Sequence, residues 1–134
     1  MTERWQERLQ NYKKSVENLN ETIQCIGQNG LNKIYTMALV QAFEICFELA
    51  WKTMKDYLEF NGIKTDTPRD TIKTAFSTNL IKDGQGWIEM MEARNKTSHT
   101  YRETFANQLA DDILQTYSRL IENFETTMDS KING

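Results

Sequence analysis

Proline and glycine are scarce. One proline (Pro68) and six glycines in 134 residues leave little punctuation between regular elements. Cysteine is scarcer still: Cys25 and Cys46 sit inside apolar helical patterns and read as reduced core thiols, not a disulfide. There is a single histidine, His99, and no Cys-x-x-Cys pair, so the ligands of a zinc site are missing. No apolar run approaches the ~20 residues of a membrane span. Met1-Thr2-Glu3-Arg4-Trp5-Gln6-Glu7 is charged with no apolar stretch behind it, which argues against a secretory signal and predicts a cytoplasmic protein with no membrane contact. Positive charge is not in surplus either. Sixteen Lys and Arg against nineteen Asp and Glu give a net charge of -3, which excludes a generic basic-patch polyanion binder. Any contact with nucleic acid therefore needs a local cationic island. Gly84-Gln85-Gly86 lacks the Lys-Ser/Thr and the preceding strand of a phosphate loop.

What is present is a soluble globular balance, 39% hydrophobic and 26% charged, in a length suited to one domain over residues 1–134. A chain of this size buries roughly two-thirds of its unfolded surface. Apolar residues recur at helical spacing. Trp5, Leu9, Tyr12, Val16, Leu19, Ile23 and Ile26 form one seam of a first helix, which Gly27 and Gly30 are expected to stop. A second helix is expected from about Asn32 to Phe60, with Ile34, Met37, Ala38, Ile45, Leu49 and Leu58 facing inward. Ala42, Phe43, Cys46, Phe47, Ala50, Trp51 and Met54 widen its apolar stripe beyond what one seam absorbs. That surplus predicts a homodimer interface around Phe43, Phe47 and Trp51.

Thr67-Pro68-Arg69-Asp70 reads as the start of a third helix, with Thr67 as N-cap and Pro68 in the first position; the helix carries Ile72, Ala75, Phe76 and Leu80. A short fourth helix follows through Trp87, Ile88, Met90 and Met91. The last helix is expected to begin near Tyr101 behind a Thr100–Glu103 capping box. Its core face carries Phe105, Leu109, Ile113, Tyr117, Leu120 and Phe124, and a frayed tail follows Met128. No segment reads as a strand and no repeat is visible. The expected fold is all-α: an up-and-down antiparallel bundle of about five helices, three long and two short.

One segment differs in charge from the rest. Arg94-Asn95-Lys96-Thr97-Ser98-His99-Thr100-Tyr101-Arg102 contains no acid, three fixed positive charges and the only histidine. On an unbroken helix Arg94 and His99 would stand roughly 140° apart. A turn before the last helix could bring them to one site, where a phosphate could also meet free backbone N–H groups. Spacing alone equally fits a satisfied polar junction, with Arg94 capping a helix end and His99 hydrogen-bonded locally. Glu44 and Glu48, at i and i+4 on the second helix, read as solvated or ion-paired surface, because no Glu-x-x-His partner completes a di-metal site.

Arg94-x4-His99-x-Tyr101, with polar Asn95 directly after the arginine, resembles the signature of HEPN-domain toxins of the HepT type. Over most of the chain, Arg94 to Tyr101 and the block Phe43-Glu44-Ile45-Cys46-Phe47-Glu48-Leu49-Ala50-Trp51-Lys52 resemble more narrowly the nucleotidyltransferase substrate-binding proteins. The resemblance implies a dimeric helical bundle that cleaves RNA without metal or other cofactor. In it, Arg94 holds the scissile phosphate, His99 moves protons and Asn95 orients the phosphate or the histidine. A 2′,3′-cyclic phosphate is the expected product. Lys96, Ser98 and Arg102 are weaker candidates for RNA or nucleotide contact. The implied partner is a minimal nucleotidyltransferase acting as antitoxin, which attaches AMP at Tyr101. The competing expectation is a non-catalytic subunit that binds a substrate or nucleotide for a two-protein nucleotidyltransferase; a plain dimerisation bundle is the third.

Overall fold

Residues 2–132 are described by a computed structural model, and among them there are helices and turns but no strand. Helix α1 spans Arg4–Asn29, α2 Lys33–Phe60, α3 Pro68–Ser77 and α4 Gly84–Asn95. A 3-10 turn at Thr97–His99 precedes the last rod, which is continuous but has three parts: α5 Glu103–Asp112, a π-turn Ile113–Tyr117 and α6 Ser118–Ile132. The five expected rods are present, and α2 packs against every other one.

The α1 seam is as its spacing predicts. Trp5, Leu9, Tyr12, Val16, Leu19 and Ile26 are buried, and Ile23 is half-buried. Tyr12 carries its phenol into the core and donates a 2.6 Å hydrogen bond to the carbonyl of Ile121, tying α1 to α6. Gly27 does not stop the helix. The chain turns at Gly30, whose φ of 82° suits a residue without Cβ. The next two caps follow the sequence: Asn32 accepts from the Tyr35 N–H at 2.8 Å, and Thr67 accepts from the Asp70 N–H at 3.1 Å. Asp70 reaches back one residue further than a capping box requires, to the N–H of Asp66. Leu80 lies beyond α3, though buried, and Phe76 is half exposed.

Helix α2 corrects the expectation about which face is inside. Ile34, Met37 and Ile45 are exposed at 75%, 64% and 47%, Ala38 is exposed and Leu49 half-buried; of the expected inner residues Leu58 alone is buried. The core takes the other stripe, Leu39, Val40, Phe43, Cys46, Phe47, Ala50 and Met54, all 5% exposed or less. Both stripes have helical spacing, so periodicity cannot choose between them. Aromatic burial decides, because Phe43 stacks on Tyr117 at 5.6 Å and Phe47 lies 6.3 Å from Trp87. Phe43 and Phe47 are therefore unavailable for a dimer contact, and Trp51 is only half-buried.

The same two stripes make α2 long and apolar enough to meet the criterion for crossing a membrane, with a mean hydropathy of 1.3 over 18 residues. The expectation that no segment reaches that criterion is corrected accordingly. The inner stripe of that window packs against the other rods, as in the core helix of a folded domain.

The last rod also departs from expectation at its start and its middle. It begins at Glu103 with Arg102 as an N-cap that makes no side-chain cap bond, so the Thr100–Glu103 capping box does not form. Thr100 instead donates its hydroxyl to the Thr97 carbonyl at 3.0 Å. The core residues run Leu109, Ile113, Tyr117, Ile121, Phe124 and Met128, while Phe105 and Leu120 are half-buried. Three successive steps of four would drift about 120° around an α-helix. The π-turn at Ile113–Tyr117 absorbs that drift and keeps the stripe inward. Helix then continues to Ile132, past the expected fraying point. Gly86 keeps the α4 cap open: a Cβ there would lie 2.5 Å from the Asp83 carboxylate that accepts its N–H and 2.8 Å from Leu120 Cδ1.

One ion pair joins α1 to α2 at the core's edge. Arg8 Nε donates to Asp56 Oδ2 at 2.9 Å, and the Asp56 side chain is only 6% exposed. Arg8→Ala leaves that carboxylate buried without its cation and is expected to cost about 1–3 kcal/mol of stability. Asp56→Asn, which keeps an acceptor and removes the charge, should cost less. Urea denaturation of the two variants checks the order; an Arg8→Ala protein as stable as its parent would contradict it.

Candidate functional site

The cationic segment forms the joint between α4 and α5. Helix α4 starts on Asp83, which accepts from the Gly86 N–H at 2.9 Å, and ends with Lys96 as its C-cap. Thr97, 6% exposed, breaks the helix there: its hydroxyl donates to the Arg94 carbonyl at 2.9 Å, a carbonyl left over at the helix end. The 3-10 turn is closed by His99 N–H to Lys96 carbonyl at 2.9 Å, and Arg102 N–H bonds the His99 carbonyl at 3.0 Å. Arg94 and His99 are thus on different elements, as a shared site requires.

Arg94 is held on three counts. Its Nη1 donates to Thr97 Oγ1 at 3.2 Å and lies 3.7 Å from Glu44 Oε2, and its Nε lies 3.6 Å from Glu48 Oε1. The Nε is fully buried yet forms no hydrogen bond. Its guanidinium therefore lies between two carboxylates of α2 and is not free in solvent. No hydrogen bond or ion pair joins Arg94 to His99 among the described residues.

His99 is exposed, and its ring meets the Tyr101 ring edge-on at 6.0 Å. Tyr101 is 73% exposed, with the Arg102 guanidinium 5.7 Å from its ring centre. Asn95, Lys96, Ser98 and Arg102 are all exposed around the joint. Beside them a groove of about 1030 Å³ opens between the start of α2 and the start of α5; Glu44, Thr100 and Tyr101 line it, over the apolar side chains of Met37, Val40 and Ala106. The surroundings thus combine a clamped cation, an exposed imidazole and phenol, and two further cations. Such a set can bind an anion and move a proton.

Sequence reading placed Glu44 and Glu48 on solvated or ion-paired surface, and ion-paired is what they are, but it named no partner and assigned Thr97 no part. Their partner is Arg94, from another helix. A signal was available for Glu44: no basic residue stands three or four positions away, so its cation has to come from elsewhere.

Comparison with known proteins follows the same lines. Residues 7–130 match the family described as nucleotidyltransferase substrate binding protein like. The "Probable ribonuclease HepT" of Haemophilus influenzae is 35% identical over 91 residues, 62% of this chain and 62% of that protein. The chain thus spans about three-fifths of the length of that curated relative. A Thermus thermophilus protein of known crystal structure is similar with a TM-score of 0.76 at 28% identity, over 84% of this chain and 94% of the other. A tri-AMPylated HEPN toxin of Shewanella oneidensis, solved in complex with an MNT antitoxin, matches with a TM-score of 0.76 over 97% of this chain and 99% of the toxin. At 14% identity that likeness is one of fold.

The five tyrosines differ enough to be told apart chemically. Burial pushes the Tyr12 phenol well above its ordinary value; burial, then the charges of Asp112, Glu89 and Glu92, push Tyr117 to about 12. Nitration, which needs the phenolate, is expected to modify Tyr101 first and to spare Tyr12 and Tyr117, as read by peptide mass spectrometry at pH 8. Nitration of Tyr12 or Tyr117 ahead of Tyr101 would contradict the arrangement.

Proposed function

The chain belongs to the nucleotidyltransferase substrate binding protein like family, and we propose that it is a HEPN-type toxin that cleaves RNA. Its antitoxin is a minimal nucleotidyltransferase, which silences it by attaching AMP to Tyr101. The observation that carries this reading is the break at Thr97. It puts Arg94 and His99 on different elements one turn apart, with the guanidinium held by α2 and the imidazole exposed. The names of the similar proteins, a probable ribonuclease and an AMPylated HEPN toxin bound to an antitoxin, support it.

The chemistry is an attack of the ribose 2′-oxygen on the adjacent phosphorus, with breakage of the bond to the 5′-oxygen. Arg94 binds the phosphate and stabilises the charge that gathers on its oxygens. His99 takes the proton of the 2′-hydroxyl or delivers one to the leaving 5′-oxygen, giving a 2′,3′-cyclic phosphate and a 5′-hydroxyl. Asn95, exposed at the end of α4, offers an amide to the phosphate or the imidazole. Lys96, Ser98 and Arg102 supply contacts to neighbouring phosphates. The reaction so written needs no metal. A homodimer, if formed through α2, has to use the outer stripe of Ile34, Met37 and Ile45, since Phe43 and Phe47 lie inside.

Attachment of AMP to the Tyr101 oxygen, with pyrophosphate leaving ATP, places a phosphodiester beside His99 and Arg102. The adjoining groove has room for the nucleoside. The bound phosphate then stands where RNA has to pass.

Two measurements test this reading. RNA cleavage is expected to survive EDTA and to fall by about 100-fold or more in Arg94→Ala and in His99→Ala, with little change in Tm. Undiminished cleavage by both variants overturns the site. No cleavage by the parent, with nucleotide binding that depends on Arg94, marks instead the non-catalytic substrate-binding subunit. Incubation with the partner and ATP is expected to add AMP to the parent but not to Tyr101→Phe, and the modified protein should no longer cleave. Equal modification of Tyr101→Phe, seen by mass spectrometry, removes the silencing step.

A further inference from the structure

The block Phe43–Lys52 of α2 holds four polar residues for which the core has no use: Glu44, Glu48, Trp51 (through its indole N–H) and Lys52. We propose that they form a clamp in which Glu48, with Glu44 beside it, is a positioning residue for Arg94. The clamp presents Nη2 of the guanidinium to an RNA phosphate and at the same time weakens its grip. The inference rests on the reading of Arg94 as the phosphate-binding group and names what holds that group in place.

The contacts run in sequence from α2 to the joint. Glu48 Oε2 accepts from the Trp51 indole N–H at 3.3 Å and lies 4.0 Å from Lys52 Nζ. Those two partners engage one carboxylate oxygen and leave Oε1 facing Arg94 Nε at 3.6 Å. On the other edge of the guanidinium, Glu44 Oε2 and Thr97 Oγ1 share Nη1. Nη2 has no hydrogen bond or ion pair among the described residues, and the Arg94 side chain keeps 29% of its surface exposed. A planar fork held at Nε and Nη1 has one nitrogen left to present, in a fixed direction.

The same carboxylates set the strength of phosphate binding. Two negative charges lie within 4 Å of one guanidinium, and the cation that balances the second, Lys52, lies 4.0 Å from the far oxygen of Glu48. Both acid contacts are also longer than a hydrogen bond, and the buried Nε goes unsatisfied. The guanidinium is thus oriented without being saturated. Its remaining nitrogen can take a phosphate without giving up a bond, and the acids repel that phosphate once it arrives.

Orientation and repulsion separate by substitution. Glu48→Gln keeps a side chain of the same size and shape packed against Nε and removes the charge, at the loss of the weak Trp51 bond. It is expected to lower KM for an RNA oligonucleotide about two- to fivefold, the scale of one exposed charge, with kcat within about twofold of the parent. Glu48→Ala removes orientation as well, and kcat should fall about 10- to 100-fold. A purely structural ion pair predicts that Gln and Ala move stability alike and leave the ratio of kcat to KM effects unsplit, which would overturn the proposal. Solvent exchange of the Arg94 Nε–H, followed by 15N NMR on the whole chain, provides a readout independent of cleavage. It should be slow in the parent and in Glu48→Gln and fast in Glu48→Ala. Should the parent cleave no RNA, the functional reading falls while the exchange comparison still decides the clamp: equal rates in all three proteins overturn it, and fast exchange confined to Glu48→Ala sustains it.

Discussion

The inward packing of one stripe of α2 is the constraint on which the rest of the molecule depends. With Phe43, Phe47, Ala50 and Met54 buried, every other rod docks against this helix. The rotation of α2 is then fixed. A residue next to a buried one lies about 100° round the helix, and residues four apart share a face. Burying Phe43 and Phe47 therefore sends Glu44 and Glu48 together to the flank, where α4 ends. Core packing and the electrostatics of the site are consequences of a single rotational choice.

That choice also explains how an acidic chain can keep a cationic joint. The positive charges from Arg94 to Arg102 would repel one another if left to themselves. Arg94 is neutralised from α2, while Lys96 and Arg102 spread into solvent. The result is graded: a fixed and partly screened guanidinium at the base, and looser cations around it. Loose surface charges steer and tether a polyanion, and a fixed planar donor gives direction to one phosphate. A joint built only of exposed lysines could supply the first property without the second.

Departures from regular helix occur where they serve this geometry. Thr97 ends α4 by taking the Arg94 carbonyl with its own hydroxyl, so the residue that terminates the helix also touches the arginine it must present. The π-turn at Ile113–Tyr117 lets the last rod keep a stripe spaced at four without rolling its core residues into solvent, and so holds Tyr117 on Phe43. Each irregularity is local, but both act on the position of α2 relative to the joint.

The sequence by itself determined the helices, most of their ends and the identity of the cationic segment. Those features depend on local chemistry: period, N-cap side chains, the left-handed turn at Gly30 and the absence of acids from Arg94 to Arg102. The α1 seam was legible to the residue, because only one of its faces is apolar. Tertiary structure decided what the sequence left degenerate. Helix α2 has two apolar stripes of equal period, and only contact with Tyr117 and Trp87 selects the one containing Phe43 and Phe47. The Thr100–Glu103 pair matches a capping box, yet the turn after Thr97 carries on to Arg102, which becomes the N-cap, and the box does not form. The pairing of Arg94 with Glu44 and Glu48 spans roughly a third of the chain, so no local pattern could name the partner. It exists because the core fixes the rotation of α2, and an ion pair between distant residues follows from where packing puts its two halves.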